Sequence, residues 1–431
     1  VTGQQTYDSA QGGGNLIRLT EDVGVGSAAL RFQCNETFVV GEVARTDTNA
    51  SLFLGINSLV NFLALGQQTI IDNGTTQLAI QSWQIFSPTN PAPVNLIDNQ
   101  DGTMIYNVNV LACQAPNVTI VNSTSTTGAL FMDSYLINSV ADNNIVVNTS
   151  SGQNDINIAN MFVSGANSTG IVTSGFTQLG ISTIQANAAG SGGIVVNGPN
   201  GGLDANVGTI NTNDGSALVS TSPGNIKLSF QEIQTQTAAN AISLTGTGDN
   251  WLGGKIINTH NSASGIKVGS GGIGDTTSLS LRLDSFFSST ANQVMQIDTP
   301  GGTVNLDIMD FRSGTGGDTT VAAIDILDGN VYINNGNYNF ASVTNTPGIQ
   351  VAGNARLVTN MNDVLSNGPA IVNSSTNDVW YNAQRTDIIS DNPVAIMNAA
   401  AASTGIFSVG GYMRTSNANC VLFSGANIPA A

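Results

Sequence analysis

Charged side chains are scarce in this chain, and the densest group of them is Arg282 and Asp284, followed by Asp298, Asp307, Asp310 and Arg312. Neighbouring carboxylates can act as acid and base or hold a hard cation such as calcium. The aromatic stock is Trp83, Trp251 and Trp380 with Tyr332, Tyr338 and Tyr381, and exposed rings of this kind stack on sugars or on one another. Trp251 follows Gly248-Asp249-Asn250, a loop context, and is the leading candidate for a ligand contact. Asp72-Asn73-Gly74 and Asp328-Gly329-Asn330 have the composition of turns and could also hold calcium. His260 is the single histidine, Cys34, Cys113 and Cys420 are the only cysteines, and no Cys-x-x-Cys occurs. Zinc sites built from several Cys or His, and histidine-based triads, are excluded on inventory.

The elements that must position these groups follow from composition and periodicity. Only 9% of the 431 residues are charged, 41% are hydrophobic and 49 are glycine. Asparagine supplies 52 residues, glutamate four and lysine three. Helix formers are thus rare and turn formers abundant, which favours short strands joined by tight turns, with enough apolar material for a continuous core. The net charge of −17, with 11 basic residues scattered singly, would repel a phosphate backbone, so nucleic acid is not an expected partner. No apolar run approaches a membrane span, so a soluble protein without membrane insertion is expected. The first residue, Val1, fits a processed mature form or a trimmed chain, and secretion is the expectation.

Apolar residues open segments at Leu30, Leu52, Leu78, Met104, Leu130, Ile145, Ile171, Ile194, Leu218, Ile242, Ile266, Met295, Ile324, Ile349, Ile371, Ile396 and Val421. The mean interval is about 24 residues, the signature of a repeat architecture. An apolar residue commonly follows two positions on, as in Ile194/Val196 and Ile324/Ile326, and the preceding residue is usually Gly or Ala, which suits a tight corner. A second alternating run follows about ten residues later, as in Ile226/Leu228/Phe230 and Val304/Leu306/Ile308. Coils of this kind bury a continuous column when stacked at about 4.8 Å. The expected fold is all-β, a single-stranded parallel β-helix (solenoid) of about 16 coils of about 24 residues, on the order of 75 Å long. A sandwich-type β array is the alternative. A leucine-rich repeat would need a Leu-x-x-Leu-x-Leu-x-x-Asn consensus that is absent, and a propeller a longer period. The expected organisation is an N-terminal tail and cap strand over 1–29, the β-helix over 30–423 and a C-terminal tail over 424–431.

This period and pattern, over residues 30 to 423, resembles the right-handed parallel β-helix, or pectin-lyase-like, superfamily of polysaccharide lyases, phage tailspikes and bacterial surface passengers. In the similar lyases and glycosidases, carboxylates and an arginine from adjacent coils converge on a surface groove. The resemblance therefore makes Asp284, Asp307 and Asp310 the candidates for an acid–base pair or a calcium site. The Asn-Thr-Asp, Gly-His-Gly and Arg-Ile-Lys motifs of the similar polygalacturonases are not found, and the Asn-rich, Lys-poor composition is closer to surface adhesins and virion fibres. Aligning Leu281-Arg282-Leu283 with Leu306-Asp307-Ile308 gives a plainer reading, an ion pair between coils on a solvated face.

Cys34 and Cys113 lie three coils apart, about 14 Å along the stack, whereas a disulfide needs Cα atoms within about 7 Å. No intrachain disulfide is expected, and the cysteines read as buried thiols or, through Cys34 or Cys420, as links between molecules. Eight Asn-x-Ser/Thr sequons, among them Asn167 and Asn373, are acceptors if the source glycosylates. A β-helix exposes unpaired strand edges at its ends, which must be capped or joined. Leu16 and Ile17 lie in a first strand that can cap the stack, and the polar tail from Val1 to Gly14 is suited to docking on a neighbouring copy by strand addition. The expected function is that of a non-enzymatic structural protein, a self-assembling fibre, spike or filament component with an attachment role, extracellular, on a cell surface or on a virion surface. The alternative is a polysaccharide-binding or polysaccharide-cleaving protein of the tailspike or lyase type. Expected partners are further copies in a homo-oligomer or polymer and surface glycans. No cofactor is expected beyond calcium.

Overall fold

The computed structural model describes strand backbones from Leu16 to Phe423, and turns and side chains within 105–377, apart from 107–108, 112–118, 124–128, 142, 148–153, 237–238, 261–263, 290–292, 315–320, 341–345 and 367. Among the described residues the chain is all-β, with no helix, and every strand pairing is parallel. It is a parallel β-solenoid that divides into two compact units, Val1–Asn213 and Asp214–Ala431. Where strands, turns and side chains are all described, about nine turns of roughly 25 residues can be followed, not the sixteen expected from spacing.

Each turn alternates a short strand with a long one. In the N-terminal unit the short strands Asn143–Val147, Thr169–Thr173 and Gly192–Val196 stack in register through Ile145, Ile171 and Ile194. The long strands Leu130–Ser139, Asn154–Val163, Phe176–Ala186 and Gly202–Thr212 stack beside them. In the C-terminal unit the short strands Ile242–Leu244 and Ile266–Val268 and the long strands Asp249–Asn261 and Ser278–Ser288 repeat the arrangement.

The long strands bend because their alternation skips one beat. Ile156 and Ile158 are buried, then Met161 and Val163, so an interval of three replaces an interval of two. The same skip separates Leu283 from Phe286 and Ile308 from Phe311. Two outward residues in succession turn the chain through a corner while both flanking runs still face the core. Each long strand therefore supplies two faces of its turn.

That geometry corrects the register read from spacing. The openings from Leu30 to Leu130 lie in the ladder of the long strands, whereas those from Ile145 to Val421 lie in the ladder of the short ones, which in Met295–Ser313 and Ile324–Asn334 runs on into the long strand. The step from Leu130 to Ile145 is thus a change of face within one turn and not a turn of its own. Period-2 alternation looks the same on every face, so spacing alone could not separate them.

Small residues before the short strands form a column of their own. Ala217 donates its N–H to the carbonyl of Ala241 at 2.8 Å, and Val294 donates to Ala323 at 2.8 Å. A Cβ added to Gly265 would sit 2.7 Å from the Val294 carbonyl, so hydrogen alone fits there, while Ala217, Ala241 and Ala323 show that a methyl fits at the same corner of other coils. Elsewhere the core is aromatic: Phe311 stacks on Tyr338 at 5.3 Å between centroids and meets Phe286 edge-on at 5.6 Å. Burial pushes the Tyr338 phenol well above its ordinary range.

Interior asparagines occur where both sides of the amide can be used. Asn154 accepts from the Leu130 N–H at 3.0 Å and donates to the Phe176 carbonyl at 3.1 Å, clamping the turns on either side. Asn144 breaks the small-residue column without that return: it is fully buried, and both its amide atoms lack a partner among the described residues. Leaving such groups dry costs about 1–3 kcal/mol. Asn144→Ala is therefore expected to raise stability by about 1 kcal/mol or more, which urea unfolding would register as a higher midpoint at unchanged slope.

Candidate functional site

The turn from Ile266 to Met295, one of the two longest in the sequence at 29 residues, carries a protruding loop. It runs over 269–275, with Gly269, Gly271 and Gly274 at φ of 82°, 73° and 90°, a left-handed backbone that glycine adopts freely. Ile273 at its tip is fully exposed. The base is pinned by Asp275, whose carboxylate accepts from the Ser270 N–H at 2.5 Å, the Ser270 hydroxyl at 2.8 Å, the Thr277 N–H at 2.9 Å and the Thr277 hydroxyl at 2.7 Å. Burial alone pushes this carboxyl up, but the hydrogen bonds from Thr277 and Ser270 outweigh it and hold it below its ordinary value. Asp298 has the opposite balance. Burial raises it, the charges of Asp328 and Asp275 raise it further, and Lys267 only partly offsets them. Asp328 is paired with Asp298 in register, and its carboxylate caps the Gly329 N–H at 2.7 Å, the turn role open to Asp328-Gly329-Asn330. Asp72 ends the strand Gln68–Asp72, and the remainder of its turn lies outside the described residues.

The expected convergence of Asp284, Asp307 and Asp310 on one groove does not form. Arg282 does stand directly over Asp307 in register, as the alignment implies. The ion pair that forms among the described residues is a different one, Arg312 with Asp310, at 2.8 Å within a single strand. Arg312 also lies 5.4 Å over the Phe287 ring. Asp307 accepts instead from the Asn335 amide at 3.4 Å. The reason is the corner: Ile308 and Phe311 are both buried, so Asp307 before them and Asp310 between them face outward on adjacent faces. Asp284 occupies the same corner one coil away, exposed between Leu283 and Ser285.

Asp310 alone of the three lines a groove, of about 670 Å³, together with Arg312, Asn337, Asn339, Asp363 and Leu365. Asp310 and Asp363 belong to one outward column, Asp310 over Asn337 over Asp363. Asp363 escapes a sequence reading because only the pairing of successive coils sets it in the column of Asp310; the corner itself keeps its length, Asp307 pairing with Asn334 and Asp310 with Asn337, with Asn335 and Gly336 between them at φ of 58° and 84°. The columns of neighbouring turns were the available signal.

Trp251 is not in a loop. It sits on the strand Asp249–Asn261, pointing outward and 38% exposed. Its neighbour Asn250 turns inward and donates to the Gly248 and Ser278 carbonyls, each at 2.9 Å, which anchors the start of the strand. The indole lies along its own strand over Gly253, where any Cβ would collide with the six-membered ring. Lys227 and Ser280 flank it in register, and Arg282 is paired with Gly253. Of the other aromatics, Tyr338 is buried, Tyr332 is half-buried, and the side chains of Trp83, Trp380 and Tyr381 lie outside the described residues.

His260 meets the Ser289 hydroxyl through Nδ1 at the surface. Asn167 stands exposed in a turn at φ 57°, whereas Asn373 is fully buried, so its sequon cannot carry a glycan in the folded chain. Leu16 and Ile17 lie on the strand Leu16–Leu19, paired in parallel with Glu42–Arg45. Val1, Gly14 and Cys420 lie outside the described residues, as do the side chains of Cys34 and Cys113.

Among the described residues no group of three or more His, Cys, Asp or Glu is placed to hold a metal ion, and no helix is long and apolar enough to cross a membrane. The fold defines the class, a parallel β-solenoid. The chain matches no family model, no curated protein and no solved structure.

The loop carboxylates give opposite pH responses. Asp298, raised in the folded state, favours folding fully only below its ordinary range and loses that contribution as pH rises through the raised value. Asp275, lowered, contributes above the ordinary range and loses the contribution as pH falls through the lowered value. Asp298→Asn should raise Tm at neutral pH with the gain fading by about pH 3, and Asp275→Asn should lower it with the deficit shrinking over the same range. Thermal unfolding of both variants at the two pH values checks the crossing.

Proposed function

We propose that this chain is a non-enzymatic structural protein of an extracellular fibre, spike or filament that assembles with further copies of itself. The observation that carries this reading is the parallel register. Each turn offers the next the same backbone ladder, so an end strand can accept the strand of another molecule by the pairing it uses with its own neighbour. Such a contact is head-to-tail, and head-to-tail contacts that do not close into a ring propagate as filaments. The small-residue corners favour the same reading, since they let successive coils approach closely.

A second reading, a polysaccharide-binding or polysaccharide-cleaving protein like the tailspikes and lyases of the pectin-lyase-like superfamily, draws on the groove at Asp310 and Asp363. These two residues stand two coils apart, about 10 Å along the stack, close to the upper end of the carboxylate separation in inverting glycosidases. Calcium, if bound, would belong with these carboxylates.

Negative-stain electron microscopy of the purified full chain tests the first reading. Filaments, arrays or regular oligomers whose length or number grows with protein concentration are the expected result. Single dispersed particles at every concentration would overturn it, and reducing-sugar release lost in Asp363→Asn would then establish the second.

A further inference from the structure

The outward side of the long strands in the C-terminal unit carries a column that self-assembly does not explain. Trp251, Ser280, Asn305 and Tyr332 follow one another in register, one per coil. The six-membered ring of the indole reaches over Gly253 into the space that any side chain there would fill, and Trp251 stays 38% exposed. A flat, fixed aromatic face of this kind accepts the C–H face of a pyranose, with little conformational entropy to lose. The second aromatic, Tyr332, lies three coils away, about 14 Å along the stack. The inter-coil spacing of about 4.8 Å is close to the length of one pyranose residue in an extended glycan, so ring and coil keep step over this distance.

The groups beside the column are of the planar, multiply hydrogen-bonding kind that meets vicinal hydroxyls. Arg282 is paired with Gly253 under the indole, and Asp307 is paired with Arg282 below that. Lys227 beside Trp251 and Arg282 are cations and Asp307 an anion, so the strip carries charges of both signs, which favours a neutral ligand over a polyanion. From these features we propose that the column from Trp251 to Tyr332 is a binding strip for a neutral, extended polysaccharide running along the stack with one sugar per coil. Binding here requires no second copy of the chain, so it stands or falls separately from assembly.

Isothermal titration calorimetry of the full chain with the β-1,4-linked hexasaccharides of glucose, xylose and mannose, and with hexagalacturonate, tests the proposal. Saturable binding of at least one neutral hexasaccharide is expected, weakened about tenfold or more in Trp251→Ala and retained in part in Trp251→Phe. Gly253→Ala is the sharper variant, because it keeps the indole but displaces it from its position over Gly253. It should weaken binding to a similar degree while circular dichroism and Tm stay close to those of the parent. Binding of none of the neutral hexasaccharides, binding of hexagalacturonate alone, or affinities unchanged in both Trp251→Ala and Gly253→Ala would overturn it.

Discussion

The parallel backbone ladder between successive turns sets every other feature of this molecule, because it fixes each residue against one partner in the next coil. Once Ile145, Ile171 and Ile194 are in register, their side chains must form one interior column, and the outward residues between them must form another. A change in turn length can be absorbed only at a corner. The loop over 269–275 is such a place, and there the chain uses left-handed backbone at Gly269, Gly271 and Gly274 to return to register.

The interior is filled by apolar columns with two kinds of polar exception. Asn154 and Asn250 give their amides to the turns on either side and so join coils as well as fill space. Asn144 fills space only. The same distinction runs through the loop carboxylates. Asp275 is paid for by four close donors, whereas Asp298 faces Asp328 and Asp275 with Lys267 as partial relief. Hydrogen-bond geometry, and not burial, separates the two.

A solenoid repeats whatever it displays at the spacing of its coils. Scaffold and ligand strip are therefore compatible roles for one chain: the ladder at the ends can extend the stack, while the outward columns present Trp251, Ser280, Asn305 and Tyr332 along its side. The groove at Asp310, Arg312 and Asp363 lies across the corner from that column, on the face that begins at Phe311.

The sequence by itself determined the class of fold, since alternation such as Leu281/Leu283 and a recurring small residue before Ile171, Ile194 and Ile266 leave little besides stacked parallel coils. It also placed Arg282 over Asp307, because both sit between buried leucines and isoleucines of matching phase. Tertiary structure decided which face each segment occupies. Alternation has the same period on all faces, so only inter-coil pairing distinguishes Leu130 from Ile145, and only the three-residue skip at Ile308 and Phe311 sends Asp307 and Asp310 to different sides. Trp251 shows the limit most plainly: its type was legible, but its pose depends on the absent Cβ of Gly253, two positions along the strand, and on the residues that the next coil brings beside it.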